Sequence, residues 1–160
     1  MAKFPRSDAQ ALADTEEQIR GVEGIERFYA LPEMARAAFN TGDLAKASSY
    51  AIEALQIAKD NKDDWNYGNA LMQGNTVLGL VALKQGNVVE ARQYMLEAGR
   101  TPGSPQLGSF GPDFTLAREL LARGERDAVL EFLTSCKGFW KMGVERLDVM
   151  ITEVHNGGTF

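Results

Sequence analysis

The residues of this chain whose side chains could do covalent or acid–base chemistry are spaced poorly for it. Cys136 and His155, the single cysteine and the single histidine, could form a thiol nucleophile, because an imidazole that takes the thiol proton activates sulfur. The plainer alternative is that Cys136 is a small packing residue: alanine fills the matching site in the two other places where its surroundings recur, and a buried free cysteine is usually inert. Asp63, Asp64, Asp113 and Glu119 could supply a carboxylate pair for acid–base work, but linear spacing does not bring them together. Helix caps and solvated faces explain them more simply. The chain has no glycine-rich phosphate loop with its lysine, no His-Glu-x-x-His helix and no Gly-x-Ser-x-Gly elbow. No catalytic residue, metal ligand or cofactor is therefore expected.

A different chemistry recurs at regular spacing. Asn66, Asn69, Gln73, Thr76, Leu80 and Lys84 follow one another at steps of three and four, which places them on one face of a helix. Most are amides or hydroxyls, whereas solvated helix faces are usually richer in Lys and Glu. A row of this kind suits the backbone of a bound peptide; a solvated face is the alternative. Arg36 and Arg118 each stand six residues before a glycine, Gly42 and Gly124, with Leu80 in the same place before Gly86. Two guanidinium groups flanking the amides could take a carboxylate in two-pronged fashion, or pair with Glu33 and Glu119 as ordinary surface ions. With Asn40, one turn beyond Arg36, these residues make up the candidate partner-binding surface.

Those three glycines are also the key to the elements. Eight residues before them stand Met34, Leu78 and Leu116, and seven before stand Ala35, Gly79 and Ala117. Five after come Ala47, Ala91 and Val129; eight after come Tyr50, Tyr94 and Phe132; twelve after come Ala54, Ala98 and Cys136. The pattern is one of paired helices, each with an apolar stripe, whose small residues let backbones approach while an aromatic fills the gap between successive pairs. Glycine can take the left-handed conformation that ends the first helix, and Asp43 or Asn87 can cap the second; Glu125 is a poorer cap. The glycines lie 44 and then 38 residues apart, so longer helices and one long loop are needed relative to a helical-repeat period of about 34.

The chain thus divides, within a single domain 1–160, into a lead-in helix region 1–30, hairpins at 32–60, 64–98 and 113–136, and a capping helix at 141–155. Ser7 starts the lead-in helix. Ile25, Phe28, Tyr29 and Leu31 form an apolar cluster ahead of Pro32, which is placed to open the first hairpin. Asp64 caps a long helix whose buried side holds Trp65, Met72, Leu78, Gly79 and Ala82. Residues 99–113, GRTPGSPQLGSFGPD, are one long irregular connection, functional or a bland linker, with Leu107 and Phe110 as its anchors. Val144, Leu147, Ile151 and Val154 cover the end of the stack.

DWNYGNALMQGN (64–75), TPGSPQLGSFGPD (101–113) and LARELLARGERDAVLEFLTSCKGFW (116–140) resemble segments of small bacterial proteins of the tetratricopeptide-repeat-like kind, for which no activity is implied. The resemblance covers about 31–147 and implies a short right-handed solenoid of three helical hairpins in a bacterial cytoplasmic setting. It also implies that the position of Arg36, Leu80 and Arg118 faces a concave groove. The arginine pair resembles in logic the carboxylate clamp of tetratricopeptide co-chaperones, although the residues differ. Asn75 stands where that pattern usually has a large apolar residue.

At 160 residues, with 44% hydrophobic and 24% charged residues, the composition is that of an ordinary folded domain with a core. No apolar run reaches the length of a membrane span and the start lacks the apolar core of a signal peptide, so a cytoplasmic protein without a membrane partner is expected. The net charge of −5 without a basic block argues against nucleic acid. Two function classes follow: a non-catalytic scaffold that binds a peptide or helix of another protein in a groove, or a small-molecule binder or enzyme whose pocket is closed by residues 99–113. An open groove with a mobile loop marks the first, and a loop packed down on enclosed polar groups marks the second. Homo-oligomerisation stays open.

Overall fold

A computed structural model describes residues 6–160; the first five residues of the lead-in region 1–30 lie outside the described residues. Those described are helical throughout, with no strand: α1 (Asp8–Gln18), α2 (Ile25–Asn40), α3 (Leu44–Ala58), α4 (Tyr67–Lys84), α5 (Val88–Gly99), α6 (Pro105–Phe110), α7 (Thr115–Ala122), α8 (Arg126–Cys136), a 3₁₀ turn at Lys141–Gly143, and α9 (Val144–His155).

The three hinges share one geometry. Gly42, Gly86 and Gly124 have φ of +85°, +79° and +82°, the left-handed region that glycine enters without a Cβ clash. After each, the next amide donates back across the helix end: Asp43 to the Ala38 carbonyl, Asn87 to Ala82 and Glu125 to Leu120. This pairing satisfies carbonyls that the helix end would otherwise leave unbonded. Asp43 and Asn87 then cap α3 and α5 through the Lys46 and Glu90 amides. Glu125 makes no cap bond and instead takes an ion pair from Arg92 at 2.7 Å.

Between the hinges the small residues lie where backbones meet. Ala35, Ala47, Ala54, Ala91, Ala117 and Cys136 are fully buried. A Cβ on Gly79 would stand 2.3 Å from Leu116 Cδ2 and 3.3 Å from the Ala91 carbonyl, so α4 meets both its hairpin partner α5 and the following α7 at one glycine. The central helix is α4. Thirteen of its residues are buried, and it packs on α2, α3, α5, α6 and α7, as a helix apolar on most sides must. Its two flanks join two core clusters: Val77, Leu78 and Val81 with α1–α3, and Met72, Leu80, Ala82 and Leu83 with the elements from α5 to α9.

Several local expectations differ. Pro32 does not open the first hairpin; α2 begins at Ile25 and carries Pro32 inside it. Proline has no N–H for the carbonyl four residues back, which is that of Phe28, and the buried Asn66 side-chain amide donates to that oxygen instead, at 3.4 Å. The long helix starts at Tyr67, leaving Trp65 in the preceding turn and 48% exposed rather than in the core. Asp64 does not cap that helix: its Oδ1 accepts from the Asn66 amide and its Oδ2 from the Tyr29 hydroxyl. The 99–113 connection is partly helical: Ser104 caps α6 by accepting from the Leu107 amide. Of its two expected anchors Leu107 is buried and Phe110 is 83% exposed.

Candidate functional site

The sequence around Pro32, Asn66 and Ser104 brings three elements to one place. The first turns of α2 and α4 lie side by side, and the 99–113 segment crosses α4 where glycine faces glycine: a Cβ on Gly68 would fall 1.8 Å from the Gly103 carbonyl oxygen. Thr101, itself buried, donates to the Gly68 carbonyl at 2.9 Å and accepts from the Gly103 amide. Ser104 donates to the Asn69 side-chain oxygen Oδ1, and the Asn69 side-chain nitrogen in turn donates to Asn66 Oδ1 at 3.1 Å and to Gln106 Oε1 at 3.2 Å. At the far end Asp113 accepts from Arg36 at 2.6 Å and from Gln73 at 3.5 Å, while Arg36 also donates to the Thr115 hydroxyl at 3.0 Å.

What remains open beside this seam is a cleft of about 530 Å³. Its walls come from α2 (Tyr29, Pro32, Glu33, Arg36), the start of α4 (Asn66, Asn69, Gln73) with Trp65 just before it, and α6 (Gln106, Leu107, Phe110) with Gly111 just after it. Three of these are large exposed aromatics: Tyr29, Trp65 and Phe110. The Tyr29 and Trp65 rings are 5.0 Å apart and tilted by 37°. Tyr29 donates its hydroxyl to Asp64 at 2.8 Å, and that hydrogen bond pushes the phenol above its ordinary pKa. Gln73 lines the cleft too, and its Oε1 is buried and accepts no hydrogen bond from the described residues.

Of the nine candidate residues, Arg36, Asn66, Asn69 and Gln73 meet in this cleft and the others lie elsewhere. Thr76 and Leu80 are buried in the core, because α4 is covered on this flank as well. Lys84 is exposed at the other end of α4. Asn40 lines a second groove, between α1 and α2, together with Arg36. Arg118 on α7 does not flank the amides: it donates to the Phe160 backbone oxygen at 3.1 Å and lies 5.6 and 5.3 Å from the Phe114 and Phe160 ring centroids. The carboxylate-clamp geometry is thus absent, and the partner of Arg36 is Asp113 rather than Glu33. Glu119 pairs with Arg123.

Trp65 and Phe110 carry a signal that core-packing patterns hide, whereas Tyr29 stands in an apolar helical stretch and carries none. Trp65 sits in Asp-Asp-Trp-Asn and Phe110 in Gly-Ser-Phe-Gly-Pro, each an aromatic set among turn formers. Such a residue has no helical stripe to join.

The acid–base and thiol candidates stay apart. Cys136 is fully buried, and burial pushes its thiol up to about 12, while His155 is exposed at the end of α9. No group of three or more His, Cys, Asp or Glu side chains among the described residues is arranged to hold a metal, and none of the described helices is long and apolar enough to cross a membrane. No family model matches the chain, and no curated protein or solved structure matches it.

Proposed function

We propose that this chain is a non-catalytic interaction module, a short right-handed solenoid of three tetratricopeptide-like hairpins capped by α9, that binds an extended segment of another protein in the cleft between α2, α4 and α6. The observation that carries it is the gathering of Tyr29, Trp65 and Phe110, all exposed, around one open cleft. Solvent-facing aromatics cost solubility, and when they cluster beside polar groups they are characteristic anchors of a protein interface. Asn69, Gln73 and Gln106 offer the amide chemistry that a bound backbone needs. A bacterial cytoplasmic setting and freedom from membrane and nucleic acid belong to the same proposal.

A second reading, a small-molecule site, is favoured by one observation: residues 101–113 are packed down on Asn69, Gln73 and Arg36 rather than standing off them. The two differ in what is captured. A benzophenone amino acid in place of Phe110, expressed in the native host, should cross-link one protein species on irradiation, and the same group in place of the exposed Val149 on α9 should not. Equal cross-linking at both positions, or none at 110, overturns the peptide-binding proposal. A small molecule retained through purification in native mass spectrometry, and lost in Gln73→Ala, supports the second.

A further inference from the structure

We propose that the cleft selects a basic side chain, a lysine or arginine of the bound segment, seated against the faces of Tyr29 and Trp65; this rests on the peptide-binding reading given above. Three observations point to a cationic donor. The first is electrostatic. Glu33 lines the cleft, Asp64 holds the Tyr29 hydroxyl, and Asp113 stands at its inner end. The one guanidinium there, Arg36, is already matched by Asp113 and bonded to Thr115. An incoming carboxylate would meet more negative charge than positive, and an incoming cation the reverse.

The second is the rings themselves. Aromatic faces carry partial negative charge and attract a cation within about 6 Å of the centroid. Elsewhere in this chain that attraction is used internally: Arg118 stands over Phe114 and Phe160, and Arg146 lies 6.0 Å from Phe114 and 5.7 Å from Trp140. Among the described residues no cation stands over Tyr29, Trp65 or Phe110. Tyr29, whose hydroxyl donates to a carboxylate, has the more electron-rich ring for it.

The third is Gln73. Its Oε1 is a buried acceptor with no donor among the described residues, and its own nitrogen donates to Asp113 at 3.5 Å. A ligand rich in N–H groups answers that need once the Gln73 side chain turns toward the cleft it lines, whereas an apolar side chain leaves it unanswered. Lysine and arginine each combine an apolar stem, which Phe110 and Leu107 can cover, with a charged donor at the tip.

The test uses the whole chain labelled with 5-fluorotryptophan, which has two resonances because the sequence has two tryptophans, Trp65 and Trp140. The probes are decapeptide pools, random except for a central residue set to Lys, Arg, norleucine or Glu, with blocked ends. The Lys and Arg pools should shift the Trp65 resonance with an affinity about tenfold above the norleucine pool. The Glu pool should leave it unmoved, and the buried Trp140 should report no change. Glu33→Gln should weaken the Lys pool by about threefold and flatten its dependence on salt. If the norleucine pool moves Trp65 as well as the Lys pool does, the basic-side-chain proposal is wrong and peptide binding stands. If no pool moves Trp65, or only Trp140 responds, both are wrong.

Discussion

The molecule contains two aromatic clusters built from similar residues and placed in opposite situations. At the C-terminal end Phe114, Trp140 and Phe160 pack together, with ring centroids 6.0 and 5.7 Å apart, and the chain's own Arg118 and Arg146 cover their faces. Trp140 is 6% exposed and fits against Gly111 and Gly143, where a Cβ would come within 2.7 and 2.1 Å of the indole. Near the N-terminal end Tyr29 and Trp65 stack in a tilted pair and stay open to solvent, with Phe110 beside the same cleft. The first cluster has satisfied its hydrophobic area and its ring electrostatics within the fold, so it contributes stability. The second has satisfied neither, so its area is available to a partner.

That contrast is open to direct attack. Trp140→Ala should have the largest effect, a loss of about 3–5 kcal/mol typical of removing a large buried aromatic, seen as a large fall in midpoint in chemical denaturation. If Trp140→Ala and Trp65→Ala destabilised equally, the division of labour between the clusters would be false.

Gly79→Leu should come next, at about 1–3 kcal/mol or more from overpacking, because the new side chain meets Leu116 and the Ala91 carbonyl together. Thermal stability indistinguishable from the unaltered chain would remove the α4–α7 contact that ties the two halves.

Arg36→Ala should cost less, about 1–2 kcal/mol, since its side chain is a quarter exposed and solvent screens part of the interaction with Asp113. Its sharper consequence is local. Asp113 loses its strongest partner, the 101–113 seam loosens, and trypsin should cut after Arg100 faster than in the unaltered chain. An unchanged cleavage rate would show that Gly68 and Thr101 alone hold the seam.

The smallest stability effect belongs to Trp65→Ala, within about 0.5 kcal/mol as for an exposed substitution, accompanied by loss of cross-linking through position 110. A folded Trp65→Ala protein that captures the same partner with unchanged yield would return the cleft aromatics to ordinary surface.

The helices and the three glycine turns between them were legible because they depend on local chemistry that is written in order along the chain. A glycine at φ near +80°, the Asp or Asn that follows it, and small residues at fixed offsets are each interpretable without knowing what lies across the fold. The same logic named Asn66, Asn69 and Gln73 by three- and four-residue steps, and Arg36 by its offset of six residues before Gly42. It misplaced Thr76 and Leu80 because a periodic stripe marks a face without saying what packs on it, and α7 and the segment after α5 pack on this one. It misplaced Pro32 because the loss of a helix bond there is offset by Asn66, thirty-four residues on.

Sequence alone determined that the chain is helical, where its helices turn, and which small residues sit at their crossings, because helix propensity, capping and periodicity act over a few residues. Only tertiary structure decided that residues 101–113 fold back on the amides, that Arg36 belongs to Asp113 while Arg118 belongs to aromatic rings, and that Trp65 faces solvent while Trp140 does not. Those outcomes depend on which surfaces meet after loops of a dozen residues close, and loop closure is set by a glycine against a glycine, Gly68 on Gly103, that no local pattern announces.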